Sequence, residues 1–251
     1  MMQHSMSDIT GITVCSNTVS LIERALTSVR QFHPDMNIIV VDGSTMNDPC
    51  QVYVRGLRDE HTHPIICGHN IGHGRGMDLA MHKVQTKYAL IFDSDIIMHK
   101  SPVEAMLAMM EDDTYGVGYI EPTGEDGFEY GAKSEHKGTR PVRYLHPYFM
   151  LIQVSEYFKW PPYVHHGAPC YMTMTAIHRA GMSEKILKEF PGLGHTAGKG
   201  WNWKGEPREY IQHDTRGTRD ERVRHRKPEI EAGWVYENRP DRTGMFRKRV
   251  R

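Results

Sequence analysis

Residues 88–97 have the sequence YALIFDSDII, in which an apolar run stops at two carboxylates, Asp93 and Asp95. The apolar run predicts a buried strand, and charged side chains at the tip of a buried strand need a cationic partner. Two carboxylates together with water molecules suit a hard divalent cation such as Mg²⁺ or Mn²⁺, which can bridge to the phosphates of a nucleotide. We therefore predict a metal site at this strand end; a turn with solvated aspartates is the alternative.

The segments before this stretch alternate between strand and helix patterns. They are, in order, a strand at Ile9–Val14, a helix with apolar residues at 21–29, a strand at Ile38–Val41, a strand at His63–Cys67 and a helix at Gly76–Val84. Repeated β-α-β units predict an α/β domain with a mostly parallel central sheet that is covered by helices on both faces. Ligands of such sheets bind at the carboxyl ends of the strands, where Asp42, Asn70 and Asp93 fall.

The second half of the chain shows weaker patterns. Residues 148–152 predict another buried strand and Ala176–Phe190 a helix, whereas the stretch Glu121–Arg143 is rich in glycine and charge and indicates a mobile loop. We expect one domain with a nucleotide-binding half at 1–100 and an acceptor-binding and catalytic half at 101–215, followed by a basic C-terminal arm at 216–251.

The composition indicates the cellular environment of the chain and the redox state of its cysteines. No apolar run reaches the roughly 20 residues of a membrane helix, and Met1–Thr10 lacks the apolar core of a signal peptide, so we expect a soluble, cytoplasmic protein, in the host cytoplasm if a phage encodes it. The four cysteines form no C-x-x-C pair, which indicates reduced thiols rather than a zinc or disulfide framework.

The charge is unevenly distributed, although the net charge of the 251 residues is zero. From Arg216 to the end there are 12 Lys/Arg and 6 Asp/Glu, a local balance of +6. This arm could meet the phosphates of a nucleotide, a nucleic acid or an anionic membrane surface, and a solvated tail is the alternative.

Two loops after predicted strands have chemistry that suits a nucleotide. Asp42 could accept a hydrogen bond from a base N–H or from ribose hydroxyls, or could simply form a turn. The glycines in Asn70–Gly76 could let backbone amides approach phosphates at a helix start, although their spacing is not the dinucleotide fingerprint. A flexible loop is the alternative for this segment.

Histidines supply two further candidates. His213 could be a third protein ligand to a metal that is held by carboxylates, and Arg216 and Arg219 could neutralise a diphosphate. His165 and His166 precede a Gly-x-Pro turn, and either could be a general base toward an acceptor hydroxyl or could be structural.

Four motifs, taken in order, resemble those of the GT-A fold glycosyltransferases, in particular family 2. They are ITVCSN at 12–17, VDGS at 41–44, NIG at 70–72 and LIFDSD, with its D-x-D motif, at 90–95. The likeness covers about the first 100 residues, and the order of the four motifs is more specific than any one of them.

The resemblance implies a nucleotide-sugar site and a metal site. Asn17 and Asp42 would contact the nucleoside, and Arg75 would lie near the phosphates. The full set of nucleotide-site residues implied is Ser16, Asn17, Asp42, Asn70, Gly72, Arg75, Asp93 and Arg216, and the metal ligands are Asp93, Asp95 and His213. Asp95 and His166 are the candidate catalytic residues.

The chain departs from the resembled family at the expected catalytic base. Many inverting members have a Glu-Asp pair after a glycine, whereas here Gly167 is followed by Ala168 and Pro169. Three possibilities follow: His166 replaces the missing carboxylate, another carboxylate does, or the enzyme retains configuration and needs no such base.

We predict a Mg²⁺- or Mn²⁺-dependent glycosyltransferase that moves a sugar from a nucleotide-diphosphate sugar, most simply a UDP-sugar, to a hydroxyl of a glycan, glycolipid or other glycoconjugate. The metal and Arg216 would stabilise the departing nucleoside diphosphate. The alternatives are a DNA glycosyltransferase acting on a hydroxymethylated pyrimidine, as in phage DNA modification, a nucleotidyltransferase, and a non-catalytic nucleotide- or nucleic-acid-binding module.

Overall fold

A computed structural model describes residues 5–57, 59–123, 141–164, 168–194 and 209–214, and the backbone of 234–238 and 244–248. The strands in these ranges are β1 Ile9–Cys15, β2 Asn37–Asp42, β3 Thr62–Ile66, β4 Tyr88–Phe92, β5 Ile96–Met98, β6 Gly116–Thr123, β7 Val142–Gln153, β8 Leu187–Glu189, β9 Ile211–His213, β10 Trp234–Asn238 and β11 Gly244–Lys248. The helices are α1 Val19–Phe32, α2 Pro49–Gly56, α3 His73–Met81, α4 Val103–Ala108, α5 Val154–Tyr157, α6 Tyr171–Arg179 and α7 Ser183–Ile186, with a short 3₁₀ turn at Met6–Asp8.

A seven-stranded mixed sheet forms the centre of the fold, in the order β3-β2-β1-β4-β7-β6-β8. The pairs β2–β3, β1–β2, β1–β4 and β6–β8 are parallel, whereas β7 runs antiparallel to both β4 and β6. The predicted α/β fold with a mostly parallel sheet is thus confirmed, and the antiparallel β7 is the strand that joins the two halves of the sheet.

Helices cover both faces of the sheet. Successive strand residues alternate between two apolar cores, because neighbouring side chains of a strand point to opposite faces. Ile38 belongs to the core that includes residues of α1, α2 and α4, and Ile39 to the core that includes residues of α3 and α6. Helix α1 buries Leu21, Ile22, Ala25, Leu26 and Val29, as the spacing predicts. The close approach of α3 to β1 depends on Gly76, where an added Cβ would lie 2.7 Å from Val14 Cγ1.

The parallel strands bring the predicted binding residues to one edge. Cys15, the last residue of β1, is level with Asp42 at the end of β2. Phe92 ends β4, so Asp93 emerges at the same edge. Among the described helices, none combines the length and apolarity that a membrane span requires.

The second half of the chain differs from several sequence-based expectations. The segment predicted as one helix, Ala176–Phe190, contains the end of α6, then α7 and then β8, because Gly181 adopts a left-handed φ of +69° and stops the first helix. The predicted mobile loop Glu121–Arg143 overlaps β6 and β7 at its ends, and its residues 124–140 lie outside the described part of the chain. Helix α2 and most of β6 were not predicted.

Candidate active site

Asp93, Asp95 and His213 meet at the carboxyl edge of the sheet. His213 Nε2 lies 3.3 Å from Asp93 Oδ2 and 3.2 Å from Asp95 Oδ1. A small two-stranded sheet makes this contact possible, because β5 pairs with β9 so that Ile96 is opposite His213. The backbone N–H of Asp214 also donates to the Asp95 carbonyl oxygen at 2.9 Å. The structure therefore brings together the three predicted metal ligands.

The electrostatics of this cluster show a histidine held between two carboxylates. Burial alone would lower the pKa of His213, but its hydrogen bonds with Asp93 and Asp95 outweigh burial and raise the pKa to about 10. Burial would raise the pKa of Asp93, yet His73 and His213 outweigh it and hold that pKa well below its usual range. In the protein without metal, a proton on His213 balances part of the carboxylate charge.

The donor set fits a divalent cation. Ligand atoms of Asp93, Asp95 and His213 all lie within 4.8 Å of one another. Two carboxylates and one imidazole suit Mn²⁺ or Mg²⁺ completed by water and by phosphate oxygens. A bound cation would take the place of the His213 proton, since a histidine ligand must be neutral.

Asp93 has a second histidine partner that sequence reasoning missed. His73 Nε2 lies 3.3 Å from Asp93 Oδ1, opposite the contact with His213. His73 is the first residue of α3 and lines the cleft beside the metal ligands. Arg75, which was predicted near the phosphates, is an exposed residue of α3 and is not among the residues that line this cleft. His73 could have been identified from the sequence by its position at the start of the helix that follows the glycine loop.

The loop before α3 is held by its own side chains. Asn70 Oδ1 accepts a hydrogen bond from the Gly72 N–H at 2.9 Å, and Gly72 precedes the helix with a φ of +89°. A left-handed φ of this size favours glycine. The helix therefore begins at the cleft, with the positive end of its dipole directed at this region.

Asp42 is fully buried at the end of β2. Its Oδ1 accepts a hydrogen bond from the Ser44 N–H at 3.0 Å and contacts the thiols of Cys15 and Cys50 at 3.7 and 3.8 Å. Its Oδ2 has no hydrogen-bond partner among the described residues. Cys15 and Cys50 lie with their sulfur atoms 3.7 Å apart as free thiols.

Ser16 and Asn17 fasten the end of β1 to the turn after β2. The Ser16 hydroxyl donates to the Gly43 carbonyl at 3.1 Å, and Asn17 Oδ1 accepts from the Thr45 N–H at 3.1 Å. Asn17 has a left-handed φ of 55°. Ser16 lines the cleft, whereas the Asn17 side-chain oxygen is engaged in this loop rather than facing the cleft.

A cleft adjoins these groups, although Asp42, Asn17 and His213 are not among its lining residues. It has a volume of about 220 Å³. Its lining residues are Val14, Cys15, Ser16, Gly43, Asn70, Ile71, Gly72, His73, Asp93, Ser94 and Asp95. Two predicted site residues, His166 and Arg216, lie outside the described residues. Tyr148, which was not predicted as a site residue, packs against the candidate metal ligands, with its ring stacked on His213 at 5.0 Å and 15°.

The fold and the side chains at the carboxyl edge of the sheet together indicate the class of protein. The sheet is mostly parallel, its fourth strand ends in a D-x-D pair, and a histidine from a small second sheet lies against that pair. This arrangement agrees with the GT-A nucleotide-sugar transferases that the sequence resembles. The family model for glycosyl transferase family 2 matches residues 11–175. The chain belongs to this family.

Solved structures agree with that fold. A mannosyltransferase from Pyrobaculum calidifontis, in complex with GDP-Man and Mn²⁺, is similar with a TM-score of 0.51 and 14% identity, over 73% of this chain and 55% of that protein. Residues 1–349 of TarS from S. aureus are similar with a TM-score of 0.52 and 12% identity, over 88% of this chain and 65% of that one. The same TarS fragment with UDP-GlcNAc gives a TM-score of 0.51. No curated protein sequence matches the chain. The chain thus spans just over half of the mannosyltransferase.

Proposed function

We propose that the protein is a metal-dependent glycosyltransferase that moves a sugar from a nucleotide-diphosphate sugar to an acceptor hydroxyl. The observation that carries this proposal is the contact of Asp93, Asp95 and His213 at the edge of the cleft that is also lined by Gly43, the residue after Asp42. Asp93, Asp95 and His213 would hold Mn²⁺ or Mg²⁺, and the bound cation supplies positive charge to the diphosphate as it leaves.

The remaining residues have separate roles in this proposal. Asp42 Oδ2 accepts the imide N–H of a uracil base, which gives a partner to one of the two buried carboxylate oxygens, Asp42 Oδ2 and Asp93 Oδ1, that make no hydrogen bond within the described part of the chain. The start of α3, with His73 in the cleft, faces the phosphates. These contacts support a UDP-sugar as the donor, and the UDP-GlcNAc bound to TarS and the GDP-Man bound to the mannosyltransferase are donors of the same class.

We propose a glycan or glycoconjugate as the acceptor. The alternative DNA acceptor depends on the basic arm at 216–251, whose side chains lie outside the described part of the chain. It stays a prediction that salt-dependent DNA binding by the full chain would test.

The test is thermal unfolding of the full chain with UDP, GDP, dTDP, CMP and ADP, each with and without Mn²⁺. A ligand that binds only the folded state at about 100 times its Kd adds about 2.7 kcal/mol, or about 5–10 °C for a chain of this length. We expect such a shift with UDP and Mn²⁺ together and its loss in Asp95→Ala. Asp35→Ala, which changes an exposed aspartate, is the matched control and should keep the shift.

Two results would contradict the proposal. One is the absence of a metal-dependent shift with every nucleotide, which would favour a module that does not bind nucleotide-sugars. The other is release of pyrophosphate instead of a nucleoside diphosphate from an activated substrate, which would identify a nucleotidyltransferase.

A further inference from the structure

Glu121 and His146 lie at the same edge of the sheet as the metal ligands but on the opposite side of β4 from the nucleotide cleft. In the strand order, β2 and β1 flank β4 on one side and β7 and β6 on the other. Since β7 is antiparallel to β4 and to β6, strand β6 runs in the direction of β4, and Glu121 is near its carboxyl end. Phe149 pairs with Phe92, so His146 lies beyond the end of β4, level with the D-x-D turn.

The two side chains form a defined pair. His146 Nε2 lies 3.9 Å from Glu121 Oε2, and both side chains are less than one-fifth exposed, at 18% and 17%. His146 Nδ1 accepts a hydrogen bond from the Tyr148 N–H at 3.2 Å. An imidazole nitrogen that accepts an amide proton carries no hydrogen, so the proton of a neutral ring is on Nε2 and is directed at Glu121. The backbone thus fixes the orientation of this pair.

The pair lies close to the metal ligands without touching a carboxylate of the D-x-D motif. The His146 ring centre is 6.4 Å from that of His213, and the Tyr148 ring centre is 5.5 Å from that of His146 and 5.0 Å from that of His213. Neighbouring strands are spaced by about 4.8 Å, so β6 lies about 10 Å from β4 along this edge. Glu121 therefore lies two strands from the D-x-D motif along this edge of the sheet.

The strand order therefore sets out the parts of a displacement reaction in sequence. In the proposed complex, Asp42 on β2 binds the nucleobase, and Asp93 after β4 lies at the diphosphate. The transferred sugar must extend to the side of β4 that the nucleoside does not occupy, which is the side of β7 and β6. A group that deprotonates an attacking hydroxyl has to lie across the anomeric carbon from the diphosphate.

We propose that Glu121 is the catalytic base of this enzyme and that His146 is its positioning residue; this inference rests on the proposed sugar transfer. The Glu121 carboxylate takes the proton of the acceptor hydroxyl as the acceptor oxygen forms its bond to the anomeric carbon. The bond between that carbon and the diphosphate oxygen breaks, and its electron pair leaves with the diphosphate. The reaction inverts the anomeric configuration. Glu121 thus takes the role that a Glu-Asp pair would have where this chain has Ala168 and Pro169.

The experiment uses the full chain with water as the acceptor. UDP-glucose, UDP-N-acetylglucosamine and GDP-mannose are supplied with Mn²⁺, and the donor with the fastest nucleoside diphosphate release is used for the variants. We expect Glu121→Gln to lower kcat for release by about 100-fold or more, the contribution of a general base, while the Kd for the nucleoside diphosphate stays within about twofold. Glu60→Gln, at a carboxylate that is 86% exposed, is the control and should keep the wild-type rate.

A merely structural role of Glu121 would not give chemical rescue. We expect azide to restore turnover of Glu121→Ala, because azide attacks the anomeric carbon without needing a base, and the product is the glycosyl azide of inverted configuration. His146→Gln should lower kcat less than Glu121→Gln and leave the KM for the donor unchanged. A Glu121→Gln rate equal to the wild-type rate, or a sugar product of retained configuration, overturns the proposal, and a loss of rate in His166→Asn alone assigns the base to His166.

A second measurement does not depend on turnover. In a crystal structure of the full chain with Mn²⁺ and a 2-fluoro analogue of the bound donor, Glu121 should face the anomeric carbon from the side opposite the diphosphate, with room for one hydroxyl about 3.5 Å from that carbon. A Glu121 carboxylate on the diphosphate side, or one turned away from the sugar, overturns the proposal. Failure of all nucleotides to bind would instead reject the proposed function itself, so the two failures are distinguishable.

Discussion

Loss of the His213 proton is expected to destabilise the metal-free protein in mildly alkaline solution. His213 is 5% exposed and lies between Asp93 and Asp95, and its pKa is raised to about 10. An unfolded histidine titrates near 6.5. Because the folded-state pKa is higher than the unfolded one, this interaction stabilises the fold fully below about pH 6.5, and the stabilisation is lost as the pH rises toward 10.

The magnitude follows from the two pKa values. Each unit of difference is worth about 1.4 kcal/mol, so the free energy of unfolding should fall by about 3 kcal/mol between pH 7 and pH 9.5 from this group alone. For a chain of this length, that loss lowers the melting temperature by about 6–12 °C. A saturating concentration of Mn²⁺ should remove most of the pH dependence, because the cation replaces the proton as the partner of the two carboxylates.

The assay is urea unfolding of the full chain in EDTA at pH 7 and at pH 9.5, with the same measurements on His213→Gln. Other groups that titrate in this range do so in both proteins, so the difference between them isolates His213. The variant should be less stable than the wild type at pH 7, by about 3 kcal/mol or more, because it leaves buried carboxylates without a cationic partner. Parallel losses of stability in the two proteins between the two pH values would refute the reasoning.

Three further changes test other parts of the structure. Asp42→Asn should weaken UDP binding about 10- to 100-fold in calorimetry, since a carboxylate acceptor that faces a uracil N–H is replaced by a neutral amide. An unchanged affinity would show that the uracil binds elsewhere. Gly116→Ala should destabilise the fold by about 2 kcal/mol or more in urea unfolding, because the added Cβ would lie 2.6 Å from Ile152 Cδ1 and 2.9 Å from a backbone oxygen. The control is Gly56→Ala, whose Cβ meets no atom within 4 Å, and its stability should be near that of the wild type. Arg24→Met, which removes the ion pair with Asp214, should weaken Mn²⁺ binding several-fold by titration, as loss of support behind a metal ligand does.

The strand-end positions of Asp42 and Asp93 could be predicted because they depend on local sequence. Each of its groups follows a strand whose apolar run is readable by itself, as with Asp42 after β2 and Asp93 after β4. Parallel strands then bring these ends to one edge without any knowledge of the loops. Residue choice within a loop was less predictable: His73 rather than Arg75 lines the cleft, which depends on the direction in which α3 starts.

Several elements could not be predicted because tertiary contacts override local patterns. Strand β6 begins with Gly-Val-Gly, which is typical of a loop, yet Gly116 is required there because the Ile152 and Leu145 side chains of β7 occupy the space of a Cβ. The long predicted helix at Ala176–Phe190 has continuous apolar spacing, and only the positive φ of Gly181 shows where it stops. In both segments the structural role of the glycine cannot be read from the sequence alone.

The candidate metal site combines both kinds of information. Asp93 and Asp95 come from one readable strand end, whereas His213 comes from a distant three-residue strand that pairs, within the described part of the chain, with Ile96–Met98. Nothing in the local sequence of β9 distinguishes His213 from the other 15 histidines of the chain, and only the family resemblance selected it. The same holds for Glu121 and His146, whose pairing depends on how β6 and β7 align. The strand-end positions of Asp42 and Asp93 are therefore set by local sequence, whereas the side of this edge that would receive the acceptor is set by long-range strand pairing.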